Sequence, residues 1–149
     1  MQLIHNGIAY DCAYAVKCTN DCYIKLYDAN GVEIMSFNDI SDFSQFALSG
    51  GSFIYPYNCA MPIPLTTYSI GGRTITPDDW KILADGRYCH EIESDLISGN
   101  ETTCNILLLF AENTDLEYEA KQSEGKIILY VETKPTSDIS INGIHVTRT

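Results

Sequence analysis

Basic side chains are scarce in this chain. Nine lysines and arginines stand against 20 aspartates and glutamates, a net charge of −11 over 149 residues. A nucleic-acid-binding surface needs a basic face to displace counterions, so we expect no nucleic-acid partner. Long hydrophobic runs are missing too. No apolar stretch approaches the roughly 18–20 residues that a spanning helix needs, and no membrane insertion is expected. The opening MQLIHNG has no basic start and no long apolar stretch, which predicts no secretory leader. Catalytic signatures are also absent. There is no G-x-S-x-G elbow, and neither Ser49-Gly50-Gly51-Ser52 nor Gly71-Gly72 leads into G-K-[ST]. No apolar heptad repeat is present to drive a coiled coil.

What is there reads as a globular all-β chain. Hydrophobic residues make up 45%, ordinary for a packed domain. At about 100–200 residues per domain, the length fits one domain or two very small ones. Tyr23–Tyr27 is β-rich, and an apolar pattern resumes from Val32 to Phe37. Asn30-Gly31 between them predicts a hairpin, because both residues tolerate positive φ. His5-Asn6-Gly7 predicts an earlier turn, within a first hairpin from Gln2 to about Lys17, and Thr19-Asn20-Asp21 another.

Residues 55–64, YPYNCAMPIP, hold three prolines, which fix φ and cannot donate to a ladder. We place a linker there. The expected organisation is a small β-meander over 1–52, a proline-containing linker over 53–66 and a jelly-roll-like β-sandwich over 67–149, the two parts able to pack as one unit. In the last part Tyr88–Ile92 reads as a strand. ILLLF within 103–111 predicts a strand covered on both faces. Ile127, Leu129 and Val131 alternate onto one face. Ile139 and Ile141 alternate, then the phase slips at Gly143 before Ile144 and Val146, which predicts a β-bulge.

Helix is scarce. Thr76-Pro77-Asp78-Asp79-Trp80 has a helix-start pattern, ended by Asp85-Gly86 within one or two turns. Residues 113–124 have helix-forming composition and a Glu117–Lys121 pair but no apolar stripe, so an exposed loop or short helix is expected.

Six cysteines, at 12, 18, 22, 59, 89 and 104, admit several disulfide pairings. Without a leader, we expect synthesis in a reducing cytosol and thiols packed as small hydrophobes. Cys18 and Cys22 form one loose pair, and Cys89-His90 adds two ligand types, short of the paired spacings of zinc sites. Cys89 and His90 are adjacent, so in a strand they face opposite sides. His5 and His145 sit beside Asn-Gly pairs with no triad partners in evidence. Asp28-x-Asn30-Gly31 echoes the start of a calcium loop, but its glycine comes too early. Asn100-Glu101-Thr102 matches a glycosylation sequon, relevant only in a secretory pathway. We therefore expect no enzyme activity, no cofactor and no metal. Among ten tyrosines, Tyr55, Tyr57 and Tyr68 flank the proline segment, and with Trp80 they are the candidate contact aromatics.

The C-terminal part reads Tyr68-x-Ile70, Thr74-Ile75-Thr76, Asp79-Trp80, RYCHEI, ILLLF, GKIILYVETKP and ISINGIHV. This order resembles small β-sandwich modules of structural proteins in tailed phages and prophages of Gram-positive bacteria. NGIAYDCAYAVK, YIKLYDANG and MSFNDISDFSQFALSGG look like the start of short accessory proteins from the same prophage modules. The resemblance implies a virion component in tail, baseplate or fibre, made in the bacterial host cytoplasm. Its partners would be further copies of itself, a trimer favoured, other virion proteins and possible host-surface glycans or proteins. It carries over no functional residue. The chain departs from the pattern in its six cysteines. Three other roles fit the same sequence: a head fibre or capsid decoration protein, a carbohydrate-binding module, and an acidic phage anti-defence protein. The last would cluster its acids on one face, whereas here they spread, 6 acids against 2 bases in 1–66 and 14 against 7 in 67–149.

Overall fold

A computed structural model describes residues 1–57, 59, 67–97 and 104–148, with strands in four small antiparallel sheets and only two three-residue helical turns among them. Most of the proline segment (58 and 60–66) and the Asn100-Glu101-Thr102 sequon lie outside the described residues. No helix among the described residues is long and apolar enough to cross a membrane.

The chain opens with β1 (Gln2–His5) and β2 (Ile8–Asp11), joined where predicted, by Asn6 at φ 51° and Gly7 at φ 75°. Two successive left-handed residues match the right-handed twist of the flanking strands. The hairpin ends sooner than the sequence predicts. Cys12 N–H donates to Met1 O at 3.0 Å, but Ala13 N–H donates to Tyr27 O at 2.8 Å, so the chain changes sheets between adjacent residues. β3 (Tyr14–Cys18), β4 (Tyr23–Tyr27) and β5 (Glu33–Phe37) then form a second sheet, and β6 (Phe46–Ser49) returns to pair with β1.

The β4–β5 hairpin forms at Asn30-Gly31 as expected, though only Gly31 is left-handed, at φ 78°. The Asp28 carboxylate accepts from Asn30 N–H and Val32 N–H at 2.9 and 3.0 Å, tightening the loop. The hairpin tip presses on the next part of the chain. A Cβ on Gly31 would lie 2.6 Å from the backbone N of Gly71 and O of Ser69.

Seven strands follow: β7 (Thr67–Ile75), β8 (Lys81–Ile82), β9 (Tyr88–Glu93), β10 (Cys104–Phe110), β11 (Glu119–Ser123), β12 (Lys126–Val131) and β13 (Ile139–Arg148). Two sheets, β10-β13-β7 and β11-β12-β9-β8, share one core in a sandwich. Tyr68, Ile70, Ile106, Leu108, Ile144 and Val146 enter it from one sheet, and Ile92, Ile127, Leu129 and Val131 from the other. The predicted bulge is present. Leu109 pairs with Gly143 but Phe110 with Ile141, leaving Asn142 as the extra residue. β7 changes phase at the same level. Tyr68 and Ile70 are buried before Gly71-Gly72, and Ile75 after them. Gly72 is needed there, since a Cβ would meet the carbonyl oxygens of Ile141 and Asn142 at 2.6 and 2.7 Å.

The one or two helical turns expected from Thr76 are a single 3-10 turn, Pro77–Asp79, after which Lys81 and Ile82 pair with β9. Two sequence expectations are corrected. Residues 119–123 form β11, not a loop or helix. Its inward positions hold Ala120, packed against the core, and buried Gln122, so the apolar alternation that marks a strand is missing. β10 is covered on one face only. Ile106 and Leu108 are buried, while Leu107 and Leu109 are 51% and 47% exposed.

The middle sheet serves two cores. Leu3, Ala15, Ile24, Leu26 and Ile40 form a small cluster on one side. Val16, Tyr27 and Ile54 belong to the main sandwich core on the other. Ile54 adds to the β3 edge in parallel, taking Lys17 N–H and giving its own N–H to Ala15 O, both at 2.9 Å.

Candidate functional site

The contact aromatics expected from sequence separate on folding. Tyr68 is 1% exposed and Trp80 5%, both in the main core, which removes them from any contact surface. Each occupies an inward position beside a β-sheet, where a ring's large apolar area is best used. Tyr55 is half-buried. Tyr57 alone is open, 41% exposed.

Tyr57 lies on a groove of about 530 Å³ between β4 and the β9, β11 and β12 region. The hairpin turn joining β11 to β12, with Glu124 at φ 50° and Gly125 at φ 77°, backs the ring. A Cβ on Gly125 would sit 2.6 Å from the Tyr57 Cβ, so glycine lets the ring seat. Tyr23, Tyr27, Asp21, Glu93 and Asp95 complete the walls.

Asp95 is the hub of this groove. Its Oδ2 accepts from the Lys25 ammonium and, at 3.4 Å, from the Tyr27 hydroxyl. Lys25 also lies 3.9 Å from Glu33 and 4.7 Å from the centre of the Tyr23 ring. Burial first, then the negative charge of Asp95, pushes the Tyr23 and Tyr27 phenols well above their ordinary value, so both stay protonated donors. Lys126 is held by Glu91 at 3.2 Å and Glu93 at 3.7 Å. The groove's lysines are thus committed to carboxylates. What it offers a ligand is hydrogen bonding and the open face of Tyr57.

Cys59 also lines the groove and is bonded to Cys18. This corrects the expectation of thiols at these positions. Ile54 pairs in parallel with Val16, two residues before Cys18, and the Cys18 and Cys59 Cα atoms lie 5.2 Å apart. The bond also withdraws Cys18 from any metal site with Cys22. Cys12, Cys22, Cys89 and Cys104 are outside disulfides. Burial raises the Cys12 thiol pKa. Cys89 is buried while the His90 ring lies outward, its Nδ1 3.1 Å from Asp79 O, so the two do not act together.

Ser69 Oγ lies 3.3 Å from His145 Nδ1, a pairing of neighbours on β7 and β13. No hydrogen bond from His145 to a carboxylate completes a triad among the described residues. The same outer face carries Leu107, whose register partner is His145, and Leu109, opposite Gly143. In the separate β3-β4-β5 sheet, Ile34 and Met35 of β5 are also exposed.

Sequence reasoning missed Asp95, Tyr23 and Tyr27, because the contact joins positions 68–70 residues apart without a local signature. It also missed Tyr118, whose hydroxyl accepts the Leu108 N–H at 3.0 Å and covers the middle of the β10 edge. No family model, no curated protein and no solved structure matches this chain.

Proposed function

We propose that the chain is a non-enzymatic virion component of a tailed phage or prophage, a tail or baseplate accessory or host-attachment piece that works by surface contact. Its partners would be further copies of itself and neighbouring virion proteins. The sequence resemblance motivates this reading, and one observation supports it most. β10, CNILLLF, carries no charge in a chain of net charge −11, and two of its leucines stand in solvent. An uncharged apolar strip on an acidic protein is where two copies can meet with the least repulsion. A head fibre or capsid decoration role would use the same surface.

Light scattering on a sizing column, over a concentration series with and without EDTA, tests this. We expect a trimer or larger ring, and for the L107T/L109T variant a folded monomer whose melting temperature no longer depends on protein concentration. Dissociation by EDTA would place a metal at the contact. A 16.6 kDa species at every concentration would overturn self-assembly.

The open face of Tyr57 supports a second reading, a glycan contact in the groove. Retardation on polysaccharide gels that Tyr57→Ala abolishes would favour it; equal mobility of wild type and variant would dismiss it.

A further inference from the structure

The outer face of the β10-β13-β7 sheet carries no fixed charge on any of its three strands. Ile106 and Leu108, Ile144 and Val146, and Tyr68 and Ile70 turn into the core, so the residues between them turn out. Leu107, His145 and Ser69 make one row across the sheet, and Asn105, Thr147 and Thr67 the next. Leu109 stands opposite Gly143 in the row beyond. None of these positions holds Asp, Glu, Lys or Arg, in a chain with 20 acids and 9 bases. The other sheet of the sandwich differs, since Lys126 is paired there with Glu91 and Glu93 across β12 and β9.

His145 is the titratable side chain of this patch, and it occupies the middle row of the middle strand. Its Nδ1 lies 3.3 Å from Ser69 Oγ. A serine hydroxyl donates to a neutral imidazole and accepts from a protonated one, so the pair survives in either state. The β4–β5 hairpin tip packs at the Ser69 and Gly71 edge. It brings Asp28, whose carboxylate is already taken by Asn30 N–H and Val32 N–H, and Glu33, which lies 3.9 Å from Lys25. A proton on His145 therefore sets a lone positive charge in the middle of an uncharged surface.

We propose that copies of the chain assemble through this whole face, like face to like, and that protonation of His145 opens the contact. The inference rests on the self-assembly reading and adds its regulation. Equivalent faces meeting about a symmetry axis put no carboxylate opposite another, the arrangement that a chain of net charge −11 tolerates best. The same arrangement takes His145 of each copy out of water and towards its equivalents. A neutral imidazole is buried there with its serine partner at little cost. An imidazolium is costly, because it finds no counter-charge and its equivalents repel it. Histidine changes charge between about pH 5 and 8, where most carboxylates stay ionised. Assembly thus releases protons as it forms, and it strengthens as pH rises.

The test is light scattering of the full chain over a concentration series, at about pH 7.5 and about pH 5.5 and one ionic strength. Wild type, His145→Gln and His145→Lys are compared, with circular dichroism melts to show that each is folded. We expect the wild-type midpoint concentration for assembly to rise at least about tenfold on acidification. H145Q, which takes no proton there, should keep one midpoint at both values, whatever that midpoint is. Folded H145K, with its permanent charge, should run at 16.6 kDa at the higher pH; if H145K does not fold, H145Q alone decides. A wild-type oligomer indifferent to pH overturns the proposal and leaves self-assembly standing. So does an H145Q that keeps the wild-type response, which would assign it to carboxylates, and so does a folded H145K that assembles like wild type. A wild type of 16.6 kDa at every pH and concentration overturns both readings.

Discussion

Reducing the Cys18–Cys59 bond should weaken this protein far more than any exposed substitution. The bond closes a loop of sequence separation 41, joining the end of β3 to Cys59 on the groove. In the chain-entropy treatment, a loop of that length restrains the unfolded chain by about 4 kcal/mol. For a domain of this size, each kcal/mol moves the melting temperature by roughly 2–4 °C, which makes the expected drop about 8–16 °C. The assay is thermal unfolding followed by circular dichroism, with and without reductant. Peptide mapping confirms the linkage in the oxidised sample, and thiol alkylation confirms its loss in the reduced one. The double variant C18A/C59A should melt near the reduced wild type and ignore reductant. An oxidised sample with the mapped linkage that melts within a degree or so of the reduced one would refute the reasoning. It would mean that the reduced unfolded chain is already compact enough for the bond to restrain it little further.

Three further outcomes are expected. Gly31→Ala should cost about 2–4 kcal/mol in urea unfolding, since its Cβ would strike the Gly71 and Ser69 backbone at 2.6 Å. Gly7→Ala has a similar φ and open space around it, so it should cost only about 1–2 kcal/mol; equal losses would mean the hairpin tip is not seated on β7. Tyr118→Phe strands the Leu108 N–H, for about 1–3 kcal/mol and faster hydrogen exchange at that amide, and unchanged protection would contradict the assignment. Tyr23 and Tyr27 have phenol pKa values raised above the ordinary 10.0, so their stabilisation is complete below that pH and is lost as pH climbs toward the folded-state values. Phenolate absorbance should therefore show two tyrosines titrating late, together with alkaline unfolding; ten equivalent tyrosines would count against the Asp95 contact.

Local pattern carried much of the fold. The Asn6-Gly7 turn, the Asn30-Gly31 hairpin, the alternation of Ile127, Leu129 and Val131, and the phase slip at Gly143 each depend on a few neighbouring residues. β11 was hidden because Gln122 fills a position where an apolar residue would have completed the alternation. ILLLF was legible as a strand, but continuous hydrophobicity could not tell a doubly covered strand from one with leucines in solvent. The groove was the least legible feature. Tyr57 was within reach as one of several tyrosines beside prolines. Asp95 is an acid among many until β4 folds against it, and Tyr68 and Trp80 differ from Tyr57 only in which way their positions face. The Cys18–Cys59 bond depends on Ile54 pairing with Val16, a parallel contact that no short-range pattern announces.

The shared core has a consequence for how such a chain can change over generations. Val16, Tyr27 and Ile54 come from before the proline segment yet are buried among residues that follow it. A crossover between related genes at that segment would transplant a sandwich without its own lid. Val16, Tyr27 and Ile54 would meet foreign side chains, and Gly31 would lose the bare backbone of Gly71 on which it rests. The two stretches are therefore bound to be inherited together, and viable recombinants should have their joints outside the chain and not at its prolines.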